Sequence, residues 1–185
     1  GRDEIWDCTT CSTCTSRCPK QVDPMAMMIA LRRFIVEQGR VHPNVKTALE
    51  STFRHGNPLT MARSDRAQWA AGLDLPVFED GTEFLYYVGC TPSYDPRGQL
   101  VARSLVRLLL RAGLDFGILG EEESCCGSET RRLGEAGLFE MIVEENQELY
   151  KSMGVERMFT TSPHCFNTFK NDYPQNGLQV QHYTQ

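Results

Sequence analysis

Four cysteines stand within eleven residues in the stretch CTTCSTCTSRCP, from Cys8 to Pro19. This crowding restricts the local backbone more than any other feature of the chain. A disulfide needs two Cβ atoms aimed at each other across a fixed separation, so four thiols this close in sequence cannot all pair without strain. They are spaced to hold a common group, with the backbone wrapped around it. Four further cysteines lie far downstream at Cys90, Cys125, Cys126 and Cys165. The start GRDEIW is no secretory signal, and no run approaches the eighteen or so apolar residues of a membrane span, so the thiols are expected to meet a reducing cytosol.

The first motif reads C-x2-C-x2-C-x3-C-P. Two intervening residues let successive sulfurs reach different irons of a compact cluster while backbone amides face its sulfides, which is the bacterial ferredoxin spacing. Zinc is the competing reading, but zinc sites usually separate two C-x-x-C knuckles by a longer arm. The expectation is a 4Fe-4S cluster at Cys8, Cys11 and Cys14. Cys18 either closes that cluster or serves a second one, whose other ligands would come from another copy of the motif. Only one copy is present here. The motif begins seven residues in and Gly1 is not an initiator Met, so the chain reads as a piece of a longer polypeptide.

Net charge is −5, from 19 Lys and Arg against 24 Asp and Glu, which argues against nucleic acid as a partner. The segment VDPMAMMIALRRFIVEQG predicts a helix capped by Asp23, opened by Pro24 and ended by Gly39. A second helix is predicted from about Asn44 to Arg54. The mixed stretch 57–82 reads as a linker with one short helix around Trp69. Beyond it, short strands alternate with longer helices: FLYYVGC, QLVARSLVRLLLRAG, DFGILG, a helix from about Glu129 to Met153, RMFTTSP, HCFNTFK and LQVQHYT. That alternation predicts an α/β unit with a small, mostly parallel sheet. The helix carrying Leu105, Val106, Leu108, Leu109 and Leu110 is expected to pack as core. The reading is therefore α+β and multidomain: a helical ferredoxin-like segment over 1–56, a linker, and an α/β domain over 83–185.

In a parallel sheet the functional loops lie at the carboxyl ends of the strands. Cys90 closes the first strand, Cys125 and Cys126 follow the second, and Cys165 follows the third, so all four are expected to converge on one edge. They stand in GCTPSYD, ESCCGSETRRLG and TTSPHCFNTFKNDYP. At these motifs the chain resembles the iron-sulfur proteins related to heterodisulfide reductase, whose cysteine-rich CCG domain carries a cysteine, then CCG, then C-x-x-C at similar intervals. There are 34 residues between Cys90 and Cys125 and 38 between Cys126 and Cys165. Within that superfamily the motifs are most similar to the membrane-associated reductases that pass electrons between electron-transfer flavoprotein and quinone. The resemblance implies a second iron-sulfur cluster at Cys90, Cys125, Cys126 and Cys165. It departs at Ser162, which stands where the family's C-x-x-C has its first cysteine. Four thiols fit a cubane better than the five-cysteine noncubane cluster of disulfide chemistry, with Ser162 a weak oxygen ligand or a neighbour.

Other residues have local readings. A helix start after Cys126 and Gly127 favours thiolate, and Arg131 and Arg132 either fold back onto the thiols or face solvent. Gly127 allows close backbone approach to a cluster or is a turn glycine. His164 tunes or relays protons at the site, or is a hydrogen-bonded structural histidine. His42 and His55 look like surface residues, His182 lies on the last strand, and Asp95 serves a turn.

The resemblance implies the electron-transfer part of an oxidoreductase complex rather than a stand-alone catalyst. Its partners are a flavoprotein donor and a membrane quinone-reducing part carried elsewhere, and it works in the cytoplasm or at the cytoplasmic face of the inner membrane. No G-x-G-x-x-G motif follows the strands, so nucleotide chemistry belongs elsewhere. The alternatives are a heterodisulfide or thiol-disulfide reductase acting at the second centre, an accessory subunit for flavin-dependent oxidation of glycolate, lactate or glycerol 3-phosphate, and a zinc-stabilised binding module.

Overall fold

The computed structural model describes residues 4–185. After a short 3-10 turn at Glu4–Trp6, the N-terminal segment is helical: α1 (Thr13–Ser16), α2 (Pro24–Glu37) and α3 (Pro43–His55). The start of α2 follows from its sequence. Pro24 supplies a helical φ at a position with no intrahelical bond to lose, and the Asp23 carboxylate accepts the Ala26 N–H. The same hydrogen bond, with a second from Thr15, holds the Asp23 carboxyl below its usual range. At the start of α3, His42 Nδ1 accepts the Asn44 N–H. Gly56 ends α3 at φ 67°, a left-handed conformation that costs glycine little.

The stretch 57–82, read as a linker, is packed into the body. Asn57, Arg66, Trp69 and Phe78 are each at most 3% exposed, and the helix expected around Trp69 is a 3-10 turn, Gln68–Ala70. Backbone bonds from Phe78 N–H to Ile118 O and from Ile118 N–H to Pro76 O pin its far end to the sheet.

The sheet comprises β1 (Phe84–Tyr87), β2 (Phe116–Gly117), β3 (Arg157–Thr160) and β4 (Gln179–His182), in the order β2-β1-β3-β4, with every pairing parallel. Along the buried β1, side chains alternate between two cores. Phe84, Tyr86 and Val88 join Trp69, Ala102, Val106, Phe116 and Phe159 on one face. Leu85 and Tyr87 join Val143, Tyr150, Met158 and Phe169 on the other. Parallel neighbours need crossover helices, and these cover both faces. Helix α5 (Pro96–Ala112) follows the short α4 (Cys90–Tyr94) and puts Ala102 and Val106 into the first core; α7 (Ala136–Ser152) and α8 (Pro163–Asn171) serve the second. From β1 the chain moves to β2 on one side and later to β3 on the other. This makes the carboxyl end of β1 a topological switch point, where open α/β sheets place ligands.

Two expectations need correction. The helix predicted from Glu129 to Met153 is two helices, α6 (Ser128–Arg132) and α7, because Gly134 turns the chain at φ 88°. Helix α5 is not wholly core: Leu100 and Leu108 are 67% and 65% exposed, because only one stripe of a surface helix faces a sheet.

Candidate iron-sulfur site

Cys90 opens α4 at the switch point, three residues beyond β1, and the chain enters through Gly89 at φ 83°. A Cβ on Gly89 would lie 3.4 Å from Cys165 Sγ, so glycine leaves room for the thiol that arrives from α8. Cys125 and Cys126 lie on the loop after β2, and Cys165 sits in the first turn of α8 after β3. The last three are buried and Cys90 is partly so. Cys126 Sγ and Cys165 Sγ are 3.4 Å apart, and Cys125 lies within hydrogen-bonding reach of both Cys126 and Cys90. The convergence expected from the strand pattern is what the fold produces.

Crowding divides the thiols electrostatically. The Cys126 and Cys90 thiols and the Gly127 N–H, 3.4 Å away, favour the thiolate of Cys125 and push its pKa well below the ordinary value although burial opposes it. Cys90 and Cys126 are pushed up, chiefly through that same hydrogen bonding to Cys125 and through burial. The protein groups therefore favour the ionised form of Cys125 over those of Cys90 and Cys126. A bound cationic centre would deprotonate the thiols that coordinate it outright.

One positive charge is built in, and sequence reasoning missed it. Arg66, 1% exposed, places Nη1 and Nη2 each 3.8 Å from Cys90 Sγ. Its Nη2 donates to Glu123 Oε1 at 2.7 Å, and the Glu123 carboxylate also accepts the N–H groups of Val88 and Gly89, both at 2.8 Å. Burial disfavours the guanidinium, but Glu123, Cys90 and Tyr87 outweigh it and hold the arginine firmly protonated. The only sequence signal was an acidic residue two positions before Cys125; nothing marked Arg66 as its partner.

The residues expected to assist behave differently. Arg131 pairs with Asp172 at 2.8 Å and lies over Phe139. Arg132 Nη1 reaches Thr10 O and Thr10 Oγ1 at 2.9 and 3.0 Å, so neither arginine folds back onto the thiols. Helix α6 has five residues, too few for the strong dipole expected after Gly127. Gly127 itself, at φ 79°, packs so that a Cβ would meet Phe139 Cδ2 at 2.7 Å. His164 is exposed with no side-chain hydrogen bond among the described residues, which corrects the hydrogen-bonded structural reading. His182 Nδ1 and Nε2 contact Thr184 Oγ1 and Thr161 O. Ser162 caps α8, its Oγ accepting the Cys165 N–H at 3.2 Å. Asp95 caps α5 through the Gly98 N–H.

Cys8, Cys11, Cys14 and Cys18 line the N-terminal loop, with Cys11 and Cys14 exposed. Thr10 and Val22 direct backbone N–H groups at Cys8 Sγ and Cys18 Sγ, each at 3.4 Å. Thr13 and Thr9 bring the Cys11 thiol down to about 7. Thr10, Ser12 and Gln21 all have positive φ. Such backbone is costly for residues with a Cβ and persists where the surroundings over-determine it.

All eight cysteines are free. Among the described residues, no three or more His, Cys, Asp or Glu side chains are gathered at the spacing of a metal-ion site. The fit to an iron-sulfur group therefore rests on the donors and their surroundings. Thiols, N–H groups aimed at sulfur and a buried arginine suit a thiolate-held centre. Two buried hydroxyls lack partners, Thr168 one turn beyond Cys165 in α8 and Thr130 within α6, four positions after Cys126.

These features define a cysteine-rich α/β domain with its thiols at the switch point, and residues 84–170 match the family model CCG, a cysteine-rich domain. Beyond that domain the chain is similar, along nearly its whole length, to part of several iron-sulfur and heterodisulfide reductase proteins. It is 38% identical, over its whole length and 27% of the relative, to an EtfAB:quinone oxidoreductase of Syntrophomonas wolfei. It is 37% identical, over 99% of the chain and 28% of the relative, to the probable iron-sulfur-binding oxidoreductase FadF of Bacillus subtilis. One component of the dihydromethanophenazine:CoB–CoM heterodisulfide reductase of Methanosarcina mazei is 29% identical over 94% of the chain and 42% of that relative. The chain thus spans about a quarter of the length of the first two relatives. No solved structure matches it. Among the described residues no helix is long and apolar enough to cross a membrane.

Proposed function

We propose that the chain is an electron relay with two iron-sulfur centres, exchanging electrons between a flavoprotein of the electron-transfer-flavoprotein kind and a quinone or another redox subunit, at the cytoplasmic face of a membrane. In this reading Cys8, Cys11 and Cys14 hold a 4Fe-4S cluster, with Cys18 on it or on a neighbouring cluster, and Cys90, Cys125, Cys126 and Cys165 hold a second. Such centres supply one-electron redox chemistry when bound. The chain's own residues ligate, orient and exclude water: segment 1–56 presents one cysteine set, 83–185 the other, and 57–82 joins them while contributing Arg66.

The observation that carries the proposal is the gathering of cysteines from three strand ends into one group beside a buried arginine. The functions named for the relatives agree with it. Disulfide reduction at the second centre is less well supported, because Ser162 replaces a thiol and its hydroxyl serves as a helix cap.

Anaerobic iron, sulfide and zinc quantitation, with electron paramagnetic resonance through a redox titration, is the test. Two reducible centres are expected; one centre, with the Cys90 group empty or holding zinc, overturns the relay. Ser162→Cys adds a fifth thiol and is expected to change the magnetic signature of the second centre alone, and an unchanged signature places Ser162 outside its coordination shell.

A further inference from the structure

Two arginines 100 positions apart in sequence interlock between the cysteine groups. Arg32, on α2, is 3% exposed and spends its donors on backbone carbonyls: Nε and Nη2 on Ile5 O at 3.0 and 2.7 Å, Nη2 on Cys8 O at 2.6 Å, and Nη1 on Arg132 O at 3.0 Å. Arg132 ends α6, which begins two residues after Cys126, and it reaches the opposite way. Its Nη1 donates to Thr10 O and Thr10 Oγ1 between Cys8 and Cys11, and its Nε contacts Ser128 Oγ at 3.4 Å. Thr10 and Ser128 are 3% and 1% exposed, and Arg132, itself half-buried, reaches them from the edge. Gly134 lies against the backbone of α2, where a Cβ would come within 2.5 Å of Arg33 N.

The chemistry of the clasp is unusual for a purely structural contact. A buried charge is normally paired, yet each partner found for Arg32 is a carbonyl or the Trp6 ring, 5.4 Å from the guanidinium. None among the described residues is a carboxylate. Through the Cys8 carbonyl, Arg32 is tied to the loop from Cys8 to Cys18. On the other side, α6 is a single rigid turn and a half between Cys126 and the clasp.

We propose that Arg32 and Arg132 are positioning residues for electron exchange: their reciprocal clasp fixes the loop from Cys8 to Cys18 against α6 and holds the two cysteine groups in one relative placement. The inference rests on the relay reading. In the step it serves, one electron leaves the reduced centre and enters the oxidised one, with the flavoprotein as reductant and the quinone or next redox subunit as oxidant. No bond forms or breaks. The chain's contribution is a fixed separation and a contact carrying positive charge between the two cysteine groups.

The test uses the anaerobically purified protein, with iron and sulfide measured in every sample. With both centres reduced, the wild type is expected to show magnetic interaction between them, seen as splitting or broadening of the resonance. Arg132→Gln and, separately, Arg32→Gln are expected to retain their iron and sulfide while losing that interaction. Amide hydrogen exchange across Thr10 to Cys18 should accelerate about tenfold or more, as expected for loss of charged hydrogen bonds. Arg132→Lys should recover part of both signals, and Arg131→Gln, which removes the pair with Asp172 and the contact over Phe139 but no bond to Thr10, should change neither. A wild type lacking two interacting centres overturns the relay and the clasp's redox role together. Two interacting centres whose splitting and loop exchange are unchanged in both Gln variants overturn the clasp alone.

Discussion

Arg66 and Glu123 are 1% and 2% exposed and 2.7 Å apart, so removing either strands the other in a dry environment. Breaking such a pair costs about 3–5 kcal/mol, whereas removing both can be nearly neutral. Glu123→Ala is expected to lower the unfolding free energy by about that amount in a urea titration, and Arg66→Met combined with Glu123→Leu should recover only part of the loss, because the Val88 and Gly89 N–H groups stay unpaired. Ser162→Ala removes a helix cap and should cost about 1 kcal/mol in the same titration, with Ser162→Asp largely restoring it. The eight cysteines were legible in the sequence because thiol spacing is itself chemical information. Arg66 was not, because its partner lies 57 positions away and no local period links them. Nor was the division of labour between Arg131 and Arg132, since adjacent side chains on a helix point in different directions.

At the scale of elements, Gly134 decides where α6 stops and α7 begins. Its φ of 88° is left-handed and its Cα lies against the backbone of α2, so Gly134→Ala incurs both backbone strain and a clash. A loss of at least about 1–3 kcal/mol is expected from the strain alone, read by thermal or urea unfolding, and a lowered barrier to exchange in α2 should accompany it. Starts set by a short-range rule were legible: Asp23 and Pro24 gave α2 its true N-terminus. The break at Gly134 was not, because a lone glycine in an otherwise periodic run is tolerated in many helices. The strands were found in the right places through their apolar runs, and their shared direction followed from the intervening helices. The exposed leucines of α5 escaped notice because an apolar count does not say which stripe faces the sheet.

For the whole molecule, the parallel sheet and its converging strand ends could be read in advance, while the contact between the N-terminal loop and α6 could not. That contact is made by arginines bonding to carbonyls, and carbonyls carry no sequence signature. Cys14→Ser tests how independent the parts are. It is expected to abolish one centre's resonance and electron transfer, with far-UV circular dichroism of the α/β part preserved; an unchanged spectrum and rate would remove Cys14 from the ligand set. The two cysteine sets also differ in how far apart their members lie along the chain, and this has a consequence for maturation. Cys8 to Cys18 occupy one short loop, which an unfolded or nascent chain can already close around a group at small entropic cost. Cys90, Cys125, Cys126 and Cys165 meet only when three strands have paired in the right order, so that site cannot exist before the sheet does. If both cysteine sets hold centres, as proposed, assembly has a built-in sequence: the first would be loaded during synthesis, whereas the second would be delivered to a folded domain, through whatever opening its burial still leaves.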